Sequence, residues 1–331
     1  MTQVVRLTNT DGPSGLEIRD ETVGEPGAGQ LRIDMRAAGL NRSELMFMHG
    51  RYIVAPVPPA RIGVEGAGVI SAVGPGVDGL QVGDAVCIFP GFDLTEYGVI
   101  AEQIILPADA VVPKPANLSF EEAAAVGMAY PSVYGGLVQC GRMQSSDVVV
   151  IVAASSGLGL AAVEFAKAHG ATVIGTSRTL DKADAIKAAG ADHVIATDEE
   201  DFVERVRELT GGQGFDLALD SLSGPFVEKL VEAAAHEARI IEFGALSMTP
   251  GSFGPYPVIA KGLSIIGFHV VYNLFDYPDR RETAMEYVMA RVASGQFKPR
   301  IDRVFSLNET VAAYEYLAGN TQEGKVIIRL G

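Results

Sequence analysis

Cysteine and tryptophan are the scarcest residues of this 331-residue chain, which has two cysteines and no tryptophan. Two thiols cannot supply a disulfide framework or a four-cysteine zinc site. Cys87 and Cys140 both have apolar neighbours, so we expect each to be a small buried hydrophobic residue. The five histidines are dispersed, without a pair four residues apart, and are expected on the surface or in the core.

Positive charge and long apolar runs are also in short supply. The chain has 26 lysine and arginine residues against 41 aspartate and glutamate residues, a formal net charge of −15. This balance repels phosphate backbones, so no nucleic-acid partner is expected. The uncharged stretch between Asp147 and Glu164 has 16 residues and that between Glu122 and Arg142 has 19, both fewer than the roughly 20 apolar residues of a membrane-spanning helix. Because the N-terminus has no signal-peptide pattern either, we expect a cytoplasmic protein without a membrane partner.

The pattern of predicted strands and helices changes near residue 120, which indicates two domains. Up to that point, short β-branched runs are broken by glycine and proline, as is typical of a mostly β barrel or sandwich. Ser119 and Glu122 then fit a helix capping box. From there strands and helices alternate, which predicts a doubly wound parallel sheet of the α/β class.

We expect this parallel sheet to be inserted into the first domain. The regular alternation of strands and helices ends after residue 267. We therefore assign residues 1–122 and 268–331 to a substrate or catalytic domain, and residues 123–267 to a nucleotide-binding domain. The predicted elements of the insert are strands at 148–152, 172–175, 193–196, 216–219, 239–243 and 263–267, and helices at 158–169 and 181–189.

The segment Val148–Gly159 combines a buried strand, a turn of small residues and the start of a helix. Such a turn presents backbone N–H groups and the positive end of a helix to a pyrophosphate. The G-x-G-x-x-G pattern is incomplete, because Ala154 and Ser156 replace its first two glycines and only Gly159 stays in register. A tight turn without a ligand is therefore the alternative interpretation.

The end of the next strand favours one dinucleotide over the other. A site for NAD usually has an acidic residue here to bind the ribose 2′-hydroxyl. This chain has Ser177 and Arg178 instead, followed by Lys182 one turn later. Guanidinium and ammonium groups attract a 2′-phosphate, whereas a carboxylate repels it. We therefore expect NADPH as the cofactor, with a solvated surface charge as the alternative role of Arg178.

Further motifs lie before the nucleotide loop: Gly39–Glu44, Gly50–Tyr52, Gly63–Val69, Val73–Val77, Gly83–Asp84 and Leu118–Ala125. Together with the segment Ala153–Gly159, they resemble the medium-chain dehydrogenase/reductase superfamily over essentially the whole chain, and within it the zinc-free quinone oxidoreductase branch. The resemblance implies a Rossmann-type domain inserted in a GroES-like, mostly β catalytic domain, and a homodimer in which strands near Leu263–Gly267 pair.

Zinc-dependent members of this superfamily hold their catalytic metal with a cysteine near position 41, a histidine before a glutamate, and a later cysteine. This chain has Asn41 and Val64 at the first two places and retains only the glutamate, Glu65. The resemblance thus implies no metal, and alcohol oxidation loses its usual Lewis acid. We expect hydride transfer to a quinone or an α,β-unsaturated carbonyl instead.

The resemblance also implies the site residues. Tyr52 is the candidate proton donor, because a phenol is neutral at pH 7 and can hydrogen-bond an oxyanion; positioning the substrate is its alternative role. Asn41 is a candidate hydrogen-bond donor to substrate or cofactor, or otherwise a turn residue. Glu65 is expected to tie loops together. The residues expected to contact NADPH are Ser132, Ser156, Gly157, Leu158, Ser177, Arg178, Lys182, Ser221, Phe243, Gly244, Ala245, Phe268, His269, Val270 and Asn320.

The aromatic residues Phe92, Tyr97, Tyr130 and Tyr272 are expected on loops, where they would shape a flat pocket for a small planar electrophile. The leading functional hypothesis is NADPH-dependent reduction of such a quinone or enone. One alternative is an enoyl thioester reductase, which would need a basic patch for carrier phosphates. The other is a non-catalytic NADPH-binding scaffold.

Overall fold

The computed structural model describes all 331 residues, Met1–Gly331, and divides them into two compact units. Unit 1 consists of residues 1–128 and 298–331, and unit 2 consists of residues 129–297. The sequence predicted the two boundaries after residues 122 and 267, whereas the units of the structure meet after residues 128 and 297. None of the helices combines the length and the apolar character that a membrane crossing requires.

The first stretch of unit 1 is rich in strands, as its β-branched runs predict. Its helices are short, and the second begins with the predicted capping box, in which Ser119 Oγ accepts a hydrogen bond from the Glu122 amide at 3.1 Å. The elements are β1 (Thr2–Leu7), β2 (Leu16–Glu21), β3 (Gln30–Gly39), α1 (Arg42–Met48), β4 (Ala60–Arg61), β5 (Glu65–Val73), β6 (Ala85–Ile88), β7 (Gln103–Pro107), β8 (Val111–Pro113) and α2 (Phe120–Ala123).

Unit 2 alternates strands and helices. Its elements are α3 (Ala129–Val133), β9 (Val148–Ile151), α4 (Gly157–Ala168), β10 (Thr172–Ser177), α5 (Ala183–Ala188), β11 (His193–Ala196), α6 (Phe202–Leu209), β12 (Phe215–Asp220), α7 (Phe226–Ala233), β13 (Ala234–Glu242), α8 (Pro255–Lys261), β14 (Ser264–Gly267) and α9 (Pro278–Ala293), with π-helical turns at 134–140 and 271–275. Its six strands form one sheet in the order β11-β10-β9-β12-β13-β14, with every neighbouring pair parallel. The predicted doubly wound parallel sheet is confirmed.

The chain then returns to unit 1 with β15 (Ile301–Ser306), α10 (Thr310–Ala318) and β16 (Lys325–Arg329). A seven-stranded sheet runs β15-β16-β3-β5-β6-β8, with β7 paired to β3, and a three-stranded sheet runs β2-β1-β4. Strand β16 pairs antiparallel with the end of β3, where Ile327 lies opposite Gly39. This pairing brings the residues before Ile327 next to the start of α1.

Residues 268–297 pack within unit 2 because of a cluster of aromatic side chains. The ring of Phe297 stacks on Phe165 of α4 and on Tyr130 of α3, with centroid separations of 5.1 and 5.2 Å. Tyr287 of α9 also contacts Phe165, at 5.6 Å. Tyr130 is buried, and its hydroxyl donates to Glu164 at 2.7 Å. Tyr130 is thus a helical core residue of unit 2, and not the pocket-lining loop residue that the sequence predicted.

Candidate functional site

The carboxyl ends of the parallel strands of unit 2 meet at one edge of the sheet, where α/β proteins bind nucleotides. Most residues predicted to contact the dinucleotide lie at this edge: Ser156–Leu158 follow β9, Ser177 ends β10 and Arg178 follows it, Ser221 follows β12, Phe243–Ala245 follow β13, and Phe268–Val270 follow β14. Ser132 lies in α3 and is buried. Asn320 is an exposed residue of unit 1, with a left-handed backbone and a φ of 59°.

The turn after β9 places the first backbone amides of α4 at this edge. Ser156 is the N-cap, and its Oγ accepts a hydrogen bond from the Gly159 amide at 3.0 Å. Gly157 and Leu158 form the first helical turn, whose N–H groups have no partner within a helix. A Cβ at position 159 would lie 2.5 Å from the Ala153 carbonyl oxygen, so glycine is required there for helix and strand to approach this closely.

Thr176 fixes the conformation of the same turn, a role that the sequence did not predict. Its Oγ1 accepts a hydrogen bond from the Ala153 amide at 3.1 Å, and its carbonyl oxygen accepts one from the Ala154 amide at 2.8 Å. Ala153 has a φ of 55°, a left-handed conformation that is unfavourable for alanine. The two bonds from β10 hold this conformation.

The end of β10 presents the donors predicted for a 2′-phosphate. Arg178 is exposed, and its guanidinium forms no ion pair or hydrogen bond in the structure. Ser177 is buried, and its hydroxyl donates to the Thr179 carbonyl oxygen at 2.6 Å. Lys182 ends the short 3-10 turn that follows and is half-buried. An exposed guanidinium at the carboxyl end of a parallel strand is chemically suited to binding a phosphate monoester.

The segments after β12 and β13 form one layer at the sheet edge. The Phe243 amide donates to the Asp220 carbonyl oxygen at 3.0 Å, and the Leu246 amide donates to that of Ser221 at 3.1 Å. A Cβ at Gly244 would lie 2.7 Å from the Ser221 carbonyl oxygen, so only glycine permits this contact. Nearby, Phe268 is buried and the His269 ring stacks on Tyr272 at 4.5 Å.

Two acids at the ends of these strands, the buried Asp220 and the half-buried Glu242, were not predicted from the sequence. Burial raises the pKa of Glu242 to about 7, and it also raises the pKa of Asp220 above its usual range. The signal available in the sequence was an acidic residue at the end of each of two apolar strands.

Unit 1 contains a small, open crevice next to Tyr52. Tyr52 is half-buried, and the side chains around it are mostly apolar or aromatic. Tyr97, predicted to shape the pocket, is among them; its hydroxyl accepts a hydrogen bond from Gln30 Nε2 at 3.0 Å, and its ring meets Phe92 edge-on at 6.2 Å. The lining residues are Ser43, Glu44, Phe47, Tyr52, Arg61, Ile62, Gly63, Val64, Leu94 and Tyr97.

Asn41 lies in a buried polar network behind the crevice. Its Nδ2 donates to Glu65 Oε1 at 2.9 Å and to the Gly39 carbonyl oxygen at 3.2 Å, and its Oδ1 accepts from Lys325 Nζ at 2.6 Å. Both amide hydrogens are therefore used within the protein, and a bond from Asn41 to a ligand would require one of them to be released. Lys325 also forms an ion pair with Glu65, whose other oxygen accepts from the Met128 amide at 2.8 Å. Glu65 thus ties loops together, as expected.

A second buried acid, Glu44, fixes α1 against this network. Its oxygens accept hydrogen bonds from the amides of Asn41 and Val64, at 3.0 and 3.1 Å, and from the Tyr314 hydroxyl at 2.7 Å. Burial raises the pKa of Glu44 to about 7 and that of Tyr314 well above its usual range. Neither Lys325 nor Tyr314 could be linked to Asn41 from sequence, because more than two hundred residues separate them.

The side chains at the metal-ligand positions of zinc-dependent relatives do not suit a metal ion. Position 64 is a valine, position 41 is an amide, and the retained Glu65 is already paired with the ammonium of Lys325. A positive charge at this place repels a divalent cation. No group of three histidine, cysteine, aspartate or glutamate side chains is arranged to hold a metal ion.

Comparison with known proteins identifies the family. Residues 27–116 match the model of the alcohol dehydrogenase GroES-like domain, and residues 157–289 match that of the zinc-binding dehydrogenases. A crystal structure described as an NAD-dependent alcohol dehydrogenase is 30% identical, with a TM-score of 0.89 over 99% of this chain and 100% of that one. This chain belongs to the medium-chain dehydrogenase/reductase superfamily.

Within the superfamily, the chain lies in the quinone oxidoreductase-like branch. A quinone oxidoreductase of Pseudomonas aeruginosa is 28% identical over 99% of both chains, and the Escherichia coli quinone oxidoreductase complexed with NADPH is 26% identical, with a TM-score of 0.90 over 99% of both. A 2-haloacrylate reductase of a Burkholderia species is 28% identical over 96% of both chains. These relatives of similar length are named as reductases or oxidoreductases.

The chain also matches one part of a much larger protein. A phenolphthiocerol/phthiocerol polyketide synthase of Mycobacterium tuberculosis is 31% identical over 95% of this chain. The chain spans only 14% of the length of that synthase.

The buried ion pair gives a prediction about stability. Lys325→Met should lower the free energy of unfolding by about 3–5 kcal/mol, because it leaves Glu65 buried without its counter-charge. Urea denaturation followed by circular dichroism measures the loss. Adding Glu65→Gln to Lys325→Met should restore part of it, and Lys187→Met on the exposed face of α5 should change stability by less than about 0.5 kcal/mol. Wild-type stability in Lys325→Met would contradict the proposed importance of the pair.

Proposed function

We propose that this protein is an NADPH-dependent reductase that transfers hydride to a quinone or an α,β-unsaturated carbonyl without a metal ion. The observation that carries the proposal is the unpaired, exposed guanidinium of Arg178 at the nucleotide edge of unit 2. An acidic residue at this place would favour NADH, and a free arginine favours the additional phosphate of NADPH. The NADPH complex of the Escherichia coli relative supports the same choice.

Unit 2 binds the dinucleotide in this proposal. The first amides of α4 bind the pyrophosphate, Arg178, Ser177 and Lys182 bind the 2′-phosphate, and the layer of segments after β12 and β13 supports the nicotinamide half. When bound, the reduced nicotinamide supplies the hydride. Ser132, Phe268–Val270 and Asn320 are further proposed contacts.

Unit 1 binds the acceptor at the Tyr52 crevice. Its apolar and aromatic lining suits a small planar electrophile and limits access of water to the reacting carbon. Hydride addition leaves negative charge on the carbonyl oxygen of the acceptor, and the Tyr52 hydroxyl is the group proposed to hydrogen-bond that oxygen and donate a proton. In the alternative role, Tyr52 only orients the acceptor. Asn41 acts through the network that fixes α1, unless ligand binding releases one of its amide hydrogens.

A second candidate, reduction of an unsaturated acyl thioester, is favoured by the 31% identity to a polyketide synthase. The two reductions share hydride transfer to a conjugated carbon and differ in the acceptor that unit 1 must recognise. A scaffold that binds NADPH without turnover is the non-catalytic alternative. Cytoplasmic location is part of the proposal.

We also propose that the protein is a homodimer formed through the β14 edge of unit 2. Strand β14 is the last strand of its sheet, so its outer edge has unpaired backbone groups. Helix α8 has no buried residue, and its Tyr256 and Ile259 side chains are 82% and 75% exposed. A twofold pairing of these edges would cover both features in each copy.

The activity is tested by mixing the protein and NADPH with 1,2-naphthoquinone, a simple enone or a crotonyl thioester, and following the loss of NADPH absorbance. We expect turnover with the first two acceptors and no loss of activity after treatment with a chelator. Tyr52→Phe should lower kcat about 100-fold or more, with little change in NADPH affinity, because general acid catalysis contributes roughly 10²–10⁴-fold. Tyr97→Phe, in the same crevice, is the matched control and should retain activity.

Other outcomes of that experiment would contradict the proposal. Turnover of the thioester alone would favour the second candidate, and tight NADPH binding without turnover would favour the scaffold. Wild-type kcat in Tyr52→Phe would remove Tyr52 as the proton donor.

The choice of dinucleotide is tested by Arg178→Ala. We expect the dissociation constant of NADPH to rise about 10- to 100-fold, because the variant loses a hydrogen bond between charged groups. The dissociation constant of NADH should change less than about twofold. Titration of the protein into each dinucleotide, followed by fluorescence, measures both constants. Lys187→Ala, an exposed charge on α5, is the control. Equal effects on the two dinucleotides would refute the assignment of Arg178 to the 2′-phosphate.

The assembly is tested by light scattering after gel filtration. The wild-type protein should elute with a mass of about 70 kDa, twice the 34.9 kDa of the chain. The double variant Tyr256→Glu, Ile259→Glu should elute as a monomer with an unchanged circular dichroism spectrum, because it places charge on the exposed face of α8. Val82→Glu, at an apolar residue of unit 1 that is 63% exposed, should stay dimeric. A monomeric wild-type protein would disprove the dimer.

A further inference from the structure

The two acids under the nucleotide edge, Asp220 and Glu242, are the last residues of adjacent parallel strands. They lie directly opposite one another in the register of β12 and β13. Asp220 Oδ2 and Glu242 Oε1 are both buried and have no hydrogen-bond partner. Two ionised carboxylates cannot hydrogen-bond each other, because neither has a proton to donate. A single proton held between these two oxygens would satisfy both.

The remaining bonds indicate which acid holds this proton. Asp220 accepts hydrogen bonds from the backbone amides of Leu222, at 2.8 Å, and Ser223, and both favour its ionised form. Glu242 accepts no backbone amide; its other oxygen bonds the Ser223 hydroxyl. Glu242 is accordingly the acid better suited to hold the proton and to donate it from Oε1 toward Asp220 Oδ2. Its raised pKa, about 7, agrees with this assignment.

No positive charge is available to stabilise a second negative charge. The groups that act on the two acids are each other, Ser223 and the two amides. The strands on either side, β9 and β14, have no ionisable residue in their VVVI and SIIG sequences. Removal of the shared proton would therefore leave two facing carboxylates in a buried place.

The pair is joined to the segments proposed to support the nicotinamide half of the cofactor. The single hydrogen of the Ser223 hydroxyl is shared between two acceptors, Glu242 and the Gly244 carbonyl oxygen, the latter at 2.6 Å. Ser223 has a φ of 53°, a left-handed conformation that serine rarely adopts and that these bonds hold in place. Repulsion between two carboxylates would break the contacts that keep 221–223 against 243–245.

We propose that the proton shared by Asp220 and Glu242 is a requirement for cofactor binding, so that these acids are positioning residues that make NADPH affinity depend on pH. The inference rests on the proposed binding of NADPH by unit 2. The affinity is highest when the pair holds its proton and falls as the pH rises above neutrality. Neither acid needs to touch the cofactor, because the effect passes through Ser223 and Gly244.

Glu242→Gln tests the proposal. Glutamine has the shape of the protonated acid: its amide donates to Asp220, and its carbonyl oxygen accepts from Ser223 at every pH. Between about pH 6 and pH 9, the NADPH dissociation constant of the wild-type protein should rise toward tenfold per pH unit above the transition, as expected for one linked proton. That of Glu242→Gln should follow a profile without this rise. Glu228→Gln, an exposed acid on α7 with the same charge change, should behave as wild type.

The comparison between variants removes the titration of the NADPH 2′-phosphate, which is common to all three proteins. Parallel profiles for the wild-type protein and Glu242→Gln would overturn the inference and leave the proposed function intact. Failure of every protein to bind NADPH at any pH would overturn both. If Glu242→Gln does not fold, Asp220→Asn offers the same test, because its amide can donate to an ionised Glu242.

A second measurement reads the proton without the cofactor. The pKa of Glu242 is raised in the folded protein from an ordinary value of 4.5 to about 7. The folded state therefore binds more protons between these values, so the stability that the pair contributes is present below about pH 4.5 and is lost as the pH approaches 7. The free energy of unfolding of Glu242→Gln should lack this part of the decline. An identical decline in the wild-type protein and the variant would show that no proton is shared.

Discussion

The contact between the Lys325 ammonium and the Glu65 carboxylate joins distant parts of unit 1. Both groups are buried, with side chains 9% and 0% exposed. A charge in such a place is tolerated only with a counter-charge and further hydrogen bonds, which Asn41 and the Met128 amide provide. The arrangement fixes the end of β3, the start of α1 and the first residue of β16 relative to one another. The crevice at Tyr52 depends on this, since α1 supplies part of its wall.

The same network bears on the chemistry of the branch. In zinc-dependent members of the superfamily a metal ion brings positive charge to this region, whereas here the positive charge belongs to a buried lysine that is paired with Glu65 and hydrogen-bonded to Asn41. The charge of this ammonium is thus balanced by a carboxylate within the protein. The proposed activity accordingly depends on an acceptor that is already activated by conjugation, and on a neutral phenol at the crevice.

The sequence predicted those parts of the structure that local patterns determine. The strands of unit 2 are apolar and β-branched, and the structure contains a strand at each of the six predicted places. Arg178 could be located because a strand end is a local feature. The segment 268–297 was assigned with the ends of the chain and not with unit 2, because its aromatic contacts with Tyr130 and Phe165 are made through space and leave no local pattern. For the same reason, neither Lys325 as the partner of Glu65 nor the contact between Asp220 and Glu242 follows from spacing along the chain.

The insertion of unit 2 into unit 1 has a consequence for folding during synthesis. Glu65 and Asn41 are translated long before Lys325, and the whole of unit 2 is made in between. Unit 2 is continuous in the chain and has its own core, so it can fold as soon as it leaves the ribosome. Until β15 and β16 are made, the early part of unit 1 lacks two strands of its sheet, and Glu65 lacks the counter-charge of Lys325. A nascent chain halted before β16 would therefore present a folded nucleotide-binding unit beside an unfinished partner, the state in which chaperones have the most to recognise.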